Sequence, residues 1–224
     1  MNIYVAFYEH TFGTYVLLKG GFKMNSDFYA IISQSEVMNH VLAISKELHL
    51  PNWYISAGFI RSTVWDSLHG YEERTPIVDI DLIYFDSEYV DEKIEKQFER
   101  TLKQKAPEYP WSVKNQARMH MINGVQPYHT TEEGIAHFPE TVTAIGIRMQ
   151  PNGQIQTAAP YGLDDLMSMK VRPTPPFQKD TKLLEIYLKR VKQKNWQEKW
   201  PRIEVEHPSI GKIHMNNTRT AYNK

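Results

Sequence analysis

Asp79 and Asp81 are the first residues of this chain whose type and spacing invite chemistry. They sit in the run Val78-Asp79-Ile80-Asp81-Leu82-Ile83-Tyr84-Phe85, which has the apolar content of a buried strand. Residues two apart in a strand share a face and lie about 6.6 Å apart along the chain, so both carboxylates can close on one hard cation. The neighbours Val78, Ile80, Leu82 and Phe85 argue against a solvated edge, and two uncompensated carboxylates on a covered strand are costly. A divalent metal held between them removes that cost.

The preceding stretch supplies a complementary half. Trp53 to Ala57 reads as a strand, Gly58 as a turn, and the residues through Leu68 as a helix. A glycine directly after a strand lets backbone approach a ligand, and the free N–H groups opening the following helix favour an anion. Arg61 falls in the first helical turn, where its charge opposes the helix dipole but suits a bound phosphate. Ser56 stands beside this turn. A cation between Asp79 and Asp81 next to an anion cradle of Ser56, Gly58 and Arg61 describes a metal-nucleotide site.

These residues carry a resemblance. Ala57-Gly58-Phe59-Ile60-Arg61, a helix ending at Leu68-His69-Gly70, and Asp79-Ile80-Asp81 resemble the head of the DNA polymerase β type nucleotidyltransferase superfamily. The opening is similar to that of tRNA CCA-adding enzymes and bacterial poly(A) polymerases. The segments WSVKNQARMH (Trp111 to His120), PYHTTEEGIAHFPETVTAIGIR (Pro127 to Arg148) and APYGLDDL (Ala159 to Leu166) resemble a family of small bacterial nucleotidyltransferase-like proteins. The similarity covers roughly Leu48 to Pro176. It implies an α/β (α+β) minimal nucleotidyltransferase fold, a mixed twisted sheet flanked by helices. It also implies Mg²⁺ or Mn²⁺ as cofactor and a nucleoside triphosphate, ATP foremost, as substrate.

The resemblance also changes how Lys114 to His120 is read. Composition alone makes this segment a polar connection with helix-capping duty. With the family likeness, Arg118 becomes a candidate for triphosphate charge, Asn115 for a base or ribose, and Lys114 for a further contact, at a strand end where open α/β sheets bind ligands. Superfamily members carry a third metal-facing carboxylate on a later strand. This chain has Gln156 where that acid is expected, and Asp164 and Asp165, the alternatives, have an adequate role as helix-start residues. A catalytically degenerate nucleotide-binding or partner-binding domain is therefore the alternative to an active enzyme. Asp-x-Asp pairs also serve glycosyltransferases and two-metal nucleases, but the strand-Gly-x-x-Arg-helix favours triphosphate handling.

Composition bounds the class. The chain has 224 residues, 41% hydrophobic and 12% aromatic, enough for one sizeable core. Lys plus Arg and Asp plus Glu number 26 each, so no global field advertises nucleic acid, which as acceptor would need a local patch. The absence of cysteine excludes disulfides, thiolate metal sites and a cysteine nucleophile, and fits a cytoplasmic protein. Nothing points to a membrane. The acceptor stays open.

Three organisational expectations follow. Residues 1–23 read as translated upstream sequence or a disordered arm, with Met24 as the true start, because Lys19-Gly20-Gly21 is encodable by a ribosome-binding site. Residues 24–200 form one nucleotidyltransferase-like domain, and 201–224 a loosely held tail. Within the domain, Ser35 to His49 and Ser87 to Lys105 read as amphipathic helices and Trp111 to Asn115 as a strand. Thr130 or Thr131 opens a helix, Thr141 to Met149 and Ile155 to Ala158 form a hairpin, and Leu163 to Met169 is helical. Lys170 to Phe177, with three prolines, reads as extended, and Asp180 opens a final helix made basic by Lys179, Lys182, Lys189, Arg190, Lys192 and Lys194, read as a solvated face, with use by a substrate polyanion as the alternative. His120, His129 and His137 lack the spacing of a zinc site.

Overall fold

Residues 21–209 are described by a computed structural model. Residues 1–20 and 210–224, which hold most of the expected arm and tail, lie outside the described residues.

Helices α1 (Gly21–Gln34) and α2 (Glu36–Lys46) precede strand β1 (Tyr54–Ser56), helix α3 (Gly58–His69) and strand β2 (Ile80–Tyr84). Then come α4 (Glu92–Lys105), β3 (Trp111–Asn115), α5 (Gln116–Asn123), α6 (Thr131–Ala136), and the hairpin β4 (Gly146–Met149) and β5 (Ile155–Ala158). The chain closes with α7 (Asp164–Met167), β6 (Lys170–Val171), α8 (Pro175–Lys179), α9 (Thr181–Lys194), α10 (Trp196–Lys199) and β7 (Glu204–Val205).

The main sheet is mixed and runs β3-β2-β1-β4-β5, with β2 and β3 parallel and the other neighbours antiparallel. Alternation sorts its side chains onto two unequal faces. Ile55, Leu82, Val113 and Ile147 point into the principal core, which α1, α2, α3 and α9 cover through Phe28, Ile32, Val41, Leu42, Ile60, Val64 and Tyr187. Tyr54 and Ile83 point the other way, into a small cluster with Ile135, Ala144 and Ala158. Asp81, directly opposite Ser56 and two residues before Ile83, belongs to this second face. Gly146 is opposite Ser56 in the same row. A Cβ there would lie 2.8 Å from Ile135 Cδ1 and 2.9 Å from Tyr54 Cβ, so the small cluster closes only over a glycine.

Capping follows the sequence closely. Ser35 Oγ accepts from Met38 N, and Thr130 Oγ1 accepts from Glu133 N while Glu133 reaches back to His129 N at 2.7 Å. The residues before Ser35, for which no element was expected, form a helix, α1, whose Phe28 and Ile32 are fully buried. Three expectations need correction. Only Gly146–Met149 of the expected Thr141 to Met149 strand is a strand, because Thr143 and Ala144 fold back onto the Glu140 carbonyl. The Lys170 to Phe177 segment is not extended throughout: Pro175 and Pro176 open α8, where a missing N–H costs nothing. The expected loose tail is bound at its start, since Ile203 is buried and Glu204–Val205 pairs with β6.

Candidate active site

The turn between β1 and α3 is made by Ala57, not Gly58. Ala57 adopts φ 59°, ψ −128°, a conformation that costs a residue with a Cβ about 1–3 kcal/mol. Its N–H donates to Ile145 O at 3.2 Å and its carbonyl accepts from Arg61 N at 3.3 Å, which hold it there. Gly58 is the first residue of α3, and its contribution is space. A Cβ at Gly58 would sit 3.6 Å from Asp79 Oδ1 and 3.8 Å from Arg61 Nη2, so the backbone approaches both the acid and the cation.

Asp79 lies one residue ahead of β2 and is exposed, while Asp81 lies within it and is half-buried. Burial and the neighbouring Asp79 carboxylate push the Asp81 carboxyl up to about 6, against a hydrogen bond from Ser112 and the positive charges of Arg190 and Lys114. Ser112 is the residue of β3 directly beside Asp81. Ser56, across the strand pair, has a buried hydroxyl with no hydrogen-bond partner among the described residues.

Arg61 is 7% exposed and its guanidinium stacks among three indoles: Cζ lies 5.2 Å from the Trp65 ring centroid, 4.6 Å from Trp196 and 5.3 Å from Trp200. Such stacking contributes about 0.5–2 kcal/mol per ring at partly desolvated sites. Nη2 donates to Ser62 Oγ at 3.1 Å, and buried Nε has no partner among the described residues. Burial pulls the guanidinium down to about 10, offset by Glu140, Asp79 and Asp66, so it remains protonated at neutral pH. Asp66, one turn further along α3, accepts from Trp200 Nε1 at 2.7 Å and from Thr75 N and Oγ1 at 2.9 and 3.1 Å. One buried carboxylate thus ties the C-terminal segment and the loop leading to Asp79 onto the same helix.

Gly58, Arg61, Asp79 and Asp81 line a single pocket of about 100 Å³. The same pocket is also lined by Arg190 and Lys194 of α9, Trp196 and Lys199 of α10, and Trp200 just after it. Arg190 and Lys194, read from sequence as part of the basic face of the final helix, both line the pocket, where Lys194 stays exposed; Lys199 and the two tryptophans were not singled out. The available signal was basic residues interleaved with tryptophan near the end of the chain. Ser112 carried none, because only strand register puts it beside Asp81.

Lys114, Asn115 and Arg118, expected at the nucleotide, do not line this pocket. Arg118 makes paired hydrogen bonds to fully buried Glu95 at 3.1 and 2.8 Å, and Lys114 Nζ is 3.6 Å from the same carboxylate. Asn115 caps α5 through Ala117 N and fastens the Asp86 to Tyr89 loop through three further bonds. The reason is register: β2 and β3 are parallel, Asn115 pairs with Tyr84, and Tyr84 is about 10 Å beyond Asp81 along the strand. The acid pair and the Asn115 to Arg118 group therefore occupy opposite ends of the sheet. Gln156, on edge strand β5, accepts from Arg148 Nε at 2.9 Å and from Gln150 Nε2. Asp165 is bound to Thr141 and Arg172.

A mixed five-stranded sheet that sets two carboxylates beside a strand-turn-helix cradle defines a nucleotidyltransferase head. The chain belongs to the nucleotidyltransferase family, whose sequence model matches residues 43–205. A structure solved by NMR, which reveals a CCA-adding enzyme head domain, is 30% identical with a TM-score of 0.73, covering 82% of this chain and 96% of its own. A CCA-adding enzyme in complex with CTP is 13% identical (TM-score 0.53; 89% of this chain, 46% of that one). The Thermotoga maritima CCA-adding enzyme complexed with tRNA is likewise 13% identical (TM-score 0.51; 88% and 46%). The last two share the fold, and this chain spans about half their length. No curated protein matches the chain.

The donors suit a hard divalent cation. Among the described residues no cluster of three or more His, Asp or Glu side chains forms a complete metal cage. Mg²⁺ needs none, since it is commonly held by one or two carboxylates, with substrate phosphates and water completing the shell. Burial, and then the Asp79 carboxylate, raise the Asp81 carboxyl, so a cation bound between the two would favour its ionised form. No helix among the described residues is long and apolar enough to cross a membrane.

Proposed function

We propose that this protein transfers a nucleoside monophosphate from a nucleoside triphosphate, ATP foremost, to an acceptor hydroxyl, using Mg²⁺ or Mn²⁺ held by Asp79 and Asp81. The observation that carries the reading is the convergence of both carboxylates, Gly58 and Arg61 on one pocket. When bound, the cation offsets charge on the attacked phosphate and makes the acceptor hydroxyl more acidic. Asp79 and Asp81 fix its position, and the Ser112 hydroxyl orients Asp81. Gly58 leaves room for a phosphate oxygen between Asp79 and Arg61. Arg61, kept in place by its tryptophans, supplies fixed positive charge where the pyrophosphate leaves. Such chemistry is mostly positioning and electrostatics, so no protein nucleophile is needed. The acceptor alcohol gives its proton to solvent or to Asp81, its oxygen bonds the α-phosphorus, and the bond to pyrophosphate breaks.

The test is incubation with α-labelled nucleoside triphosphates and candidate acceptors, with Mg²⁺ and with EDTA. Metal-dependent release of pyrophosphate with label retained on the acceptor supports transfer. A second reading, nucleotide binding without transfer, is favoured by one observation: among the described residues the only acid lining the pocket besides Asp79 and Asp81 is Asp66, which is engaged by Trp200 and Thr75, while Gln156 lies outside the pocket on edge strand β5. Mg²⁺-dependent ATP binding with no pyrophosphate release across all acceptors selects it.

A further inference from the structure

The pocket with the acid pair is also lined by a short, firmly anchored stretch near the end of the described chain. Helix α9 stops at Asn195, whose left-handed conformation (φ 41°, ψ 48°) turns the backbone directly into α10. That turn brings Arg190 and Lys194 of the first helix, and Lys199 of the second, onto one pocket. Three bonds fasten the turn to α3 and its following loop: Trp200 Nε1 to Asp66 Oδ1 at 2.7 Å, Tyr71 Oη to Lys199 O at 2.6 Å, and Arg202 Nη1 to Leu68 O at 2.6 Å.

The charges in the pocket do not balance. Five cationic side chains (Arg61, Arg74, Arg190, Lys194 and Lys199) face three carboxylates (Asp66, Asp79 and Asp81). Asp66 is spent on Trp200 and Thr75, and Arg190 is held by buried Glu140 at 2.6 Å. Lys194 and Lys199 form no ion pair with any described residue. With a divalent cation on Asp79 and Asp81, the pocket is left with a concentrated positive surplus, centred on the α9 to α10 turn.

We infer that Lys194 and Lys199, with Arg190 behind them, form a subsite for the β- and γ-phosphates of the nucleoside triphosphate, which selects triphosphates over monophosphates. The inference rests on the nucleotidyl-transfer reading of the same pocket. A polyphosphate tail fits better than a nucleic acid backbone for two reasons. Lys194 and Lys199, both exposed, line the same small cavity of about 100 Å³ as Asp79 and Asp81, and the chain as a whole is neutral, with 26 basic and 26 acidic residues. A lysine is a mobile point charge suited to phosphates that depart as pyrophosphate, whereas stacked Arg61 is fixed.

Calorimetric titration of the full chain with inorganic tripolyphosphate, ATP and AMP, each with Mg²⁺, tests the inference. The pocket variant is K194A/K199A and the control is K182A/K189A, which removes equal charge from exposed positions of α9 outside the pocket. The expected result is a tenfold or greater loss of affinity for tripolyphosphate and ATP in the pocket variant, with less than a threefold change for AMP. The control should change each by less than threefold. Equal loss in both variants, or unchanged ATP and tripolyphosphate affinity in the pocket variant, overturns the subsite while leaving the transfer reading untouched. Tripolyphosphate binding that depends on Lys194 and Lys199 in a protein that transfers no label supports the subsite and removes the transfer reading. No binding of ATP or tripolyphosphate by the unaltered chain overturns both.

Discussion

Ser56 and Asp81 stand directly opposite each other on the antiparallel pair β1 and β2, on the sheet face that carries the smaller apolar cluster. The strand that ends in the Ala57 turn is thus register-locked to the strand that bears the acid. If Asp81 holds the cation, Asp81→Asn should reduce Mg²⁺-dependent nucleotidyl transfer by at least a hundredfold with an unchanged circular dichroism spectrum, because the amide keeps the Ser112 contact while losing the charge. Activity within threefold of the unaltered protein would remove Asp81 from the site.

The same residue makes a prediction about the metal-free protein. Asp81 is held at about 6, above its ordinary 3.8, so the folded state binds its proton more tightly than the unfolded state does. The stabilisation this provides is complete below about pH 4 and is lost as the pH rises through 6, where both states ionise and the folded one keeps a charge beside Asp79. The gap corresponds to about 3 kcal/mol at most, less where solvent enters the pocket. In EDTA, Asp81→Asn should therefore be about 1–3 kcal/mol more stable than the unaltered chain at pH 8 and nearly equal to it near pH 4, by urea denaturation. A less stable variant at pH 8 would contradict the burial and repulsion described for Asp81.

What could be read from the chain was local. Strand β3 and the hairpin partner β5 were foreseen with their observed limits, and Thr130 with Glu133 announced the start of α6, because turn chemistry and alternation act over a few residues. The acid pair and the Gly58 to Arg61 helix start could be matched because both lie within 25 residues of one another. The turn itself was assigned to Gly58 on the ordinary preference of glycine, whereas Ala57 takes the strained conformation. Long-range partners were hidden: Trp196, Trp200 and Lys199 reach Arg61 across more than 130 residues, and no periodicity encodes that meeting. The opposite placement of Asn115 depended on β2 and β3 running parallel, which strand patterns alone do not give.

Asp66 tests how the pocket is held in shape. It is 7% exposed and accepts from Trp200 Nε1, Thr75 N and Thr75 Oγ1. Asp66→Ala leaves an indole N–H and a backbone N–H unpaired, each costing about 1–3 kcal/mol if it stays buried. The expected outcome is a loss of about 2–4 kcal/mol in urea denaturation, together with a weaker Mg²⁺ response, since Thr75 leads the loop to Asp79. Asp66→Asn, which retains an acceptor oxygen, should recover about half of the stability. Equal stability of all three proteins would show that the carboxylate does not organise the loop.

Arg118 separates the two ends of the sheet. Its guanidinium is the closest cation to Glu95, which is fully buried and also accepts from Asn115 N at 3.0 Å. Removing one partner of a buried pair strands the other charge, at a cost on the order of 3 kcal/mol, here softened by Lys114 at 3.6 Å. Arg118→Ala should therefore lose about 1–3 kcal/mol in urea denaturation at pH 7. Because Asn115, next to Arg118 in the fold, pairs three residues beyond the Asp81 position, nucleotide affinity should change by less than threefold. A large loss of ATP affinity with unchanged stability would reverse this assignment and move the triphosphate to the far end of β2 and β3. Measuring both quantities on the same variant decides which end of the parallel strand pair faces the nucleotide.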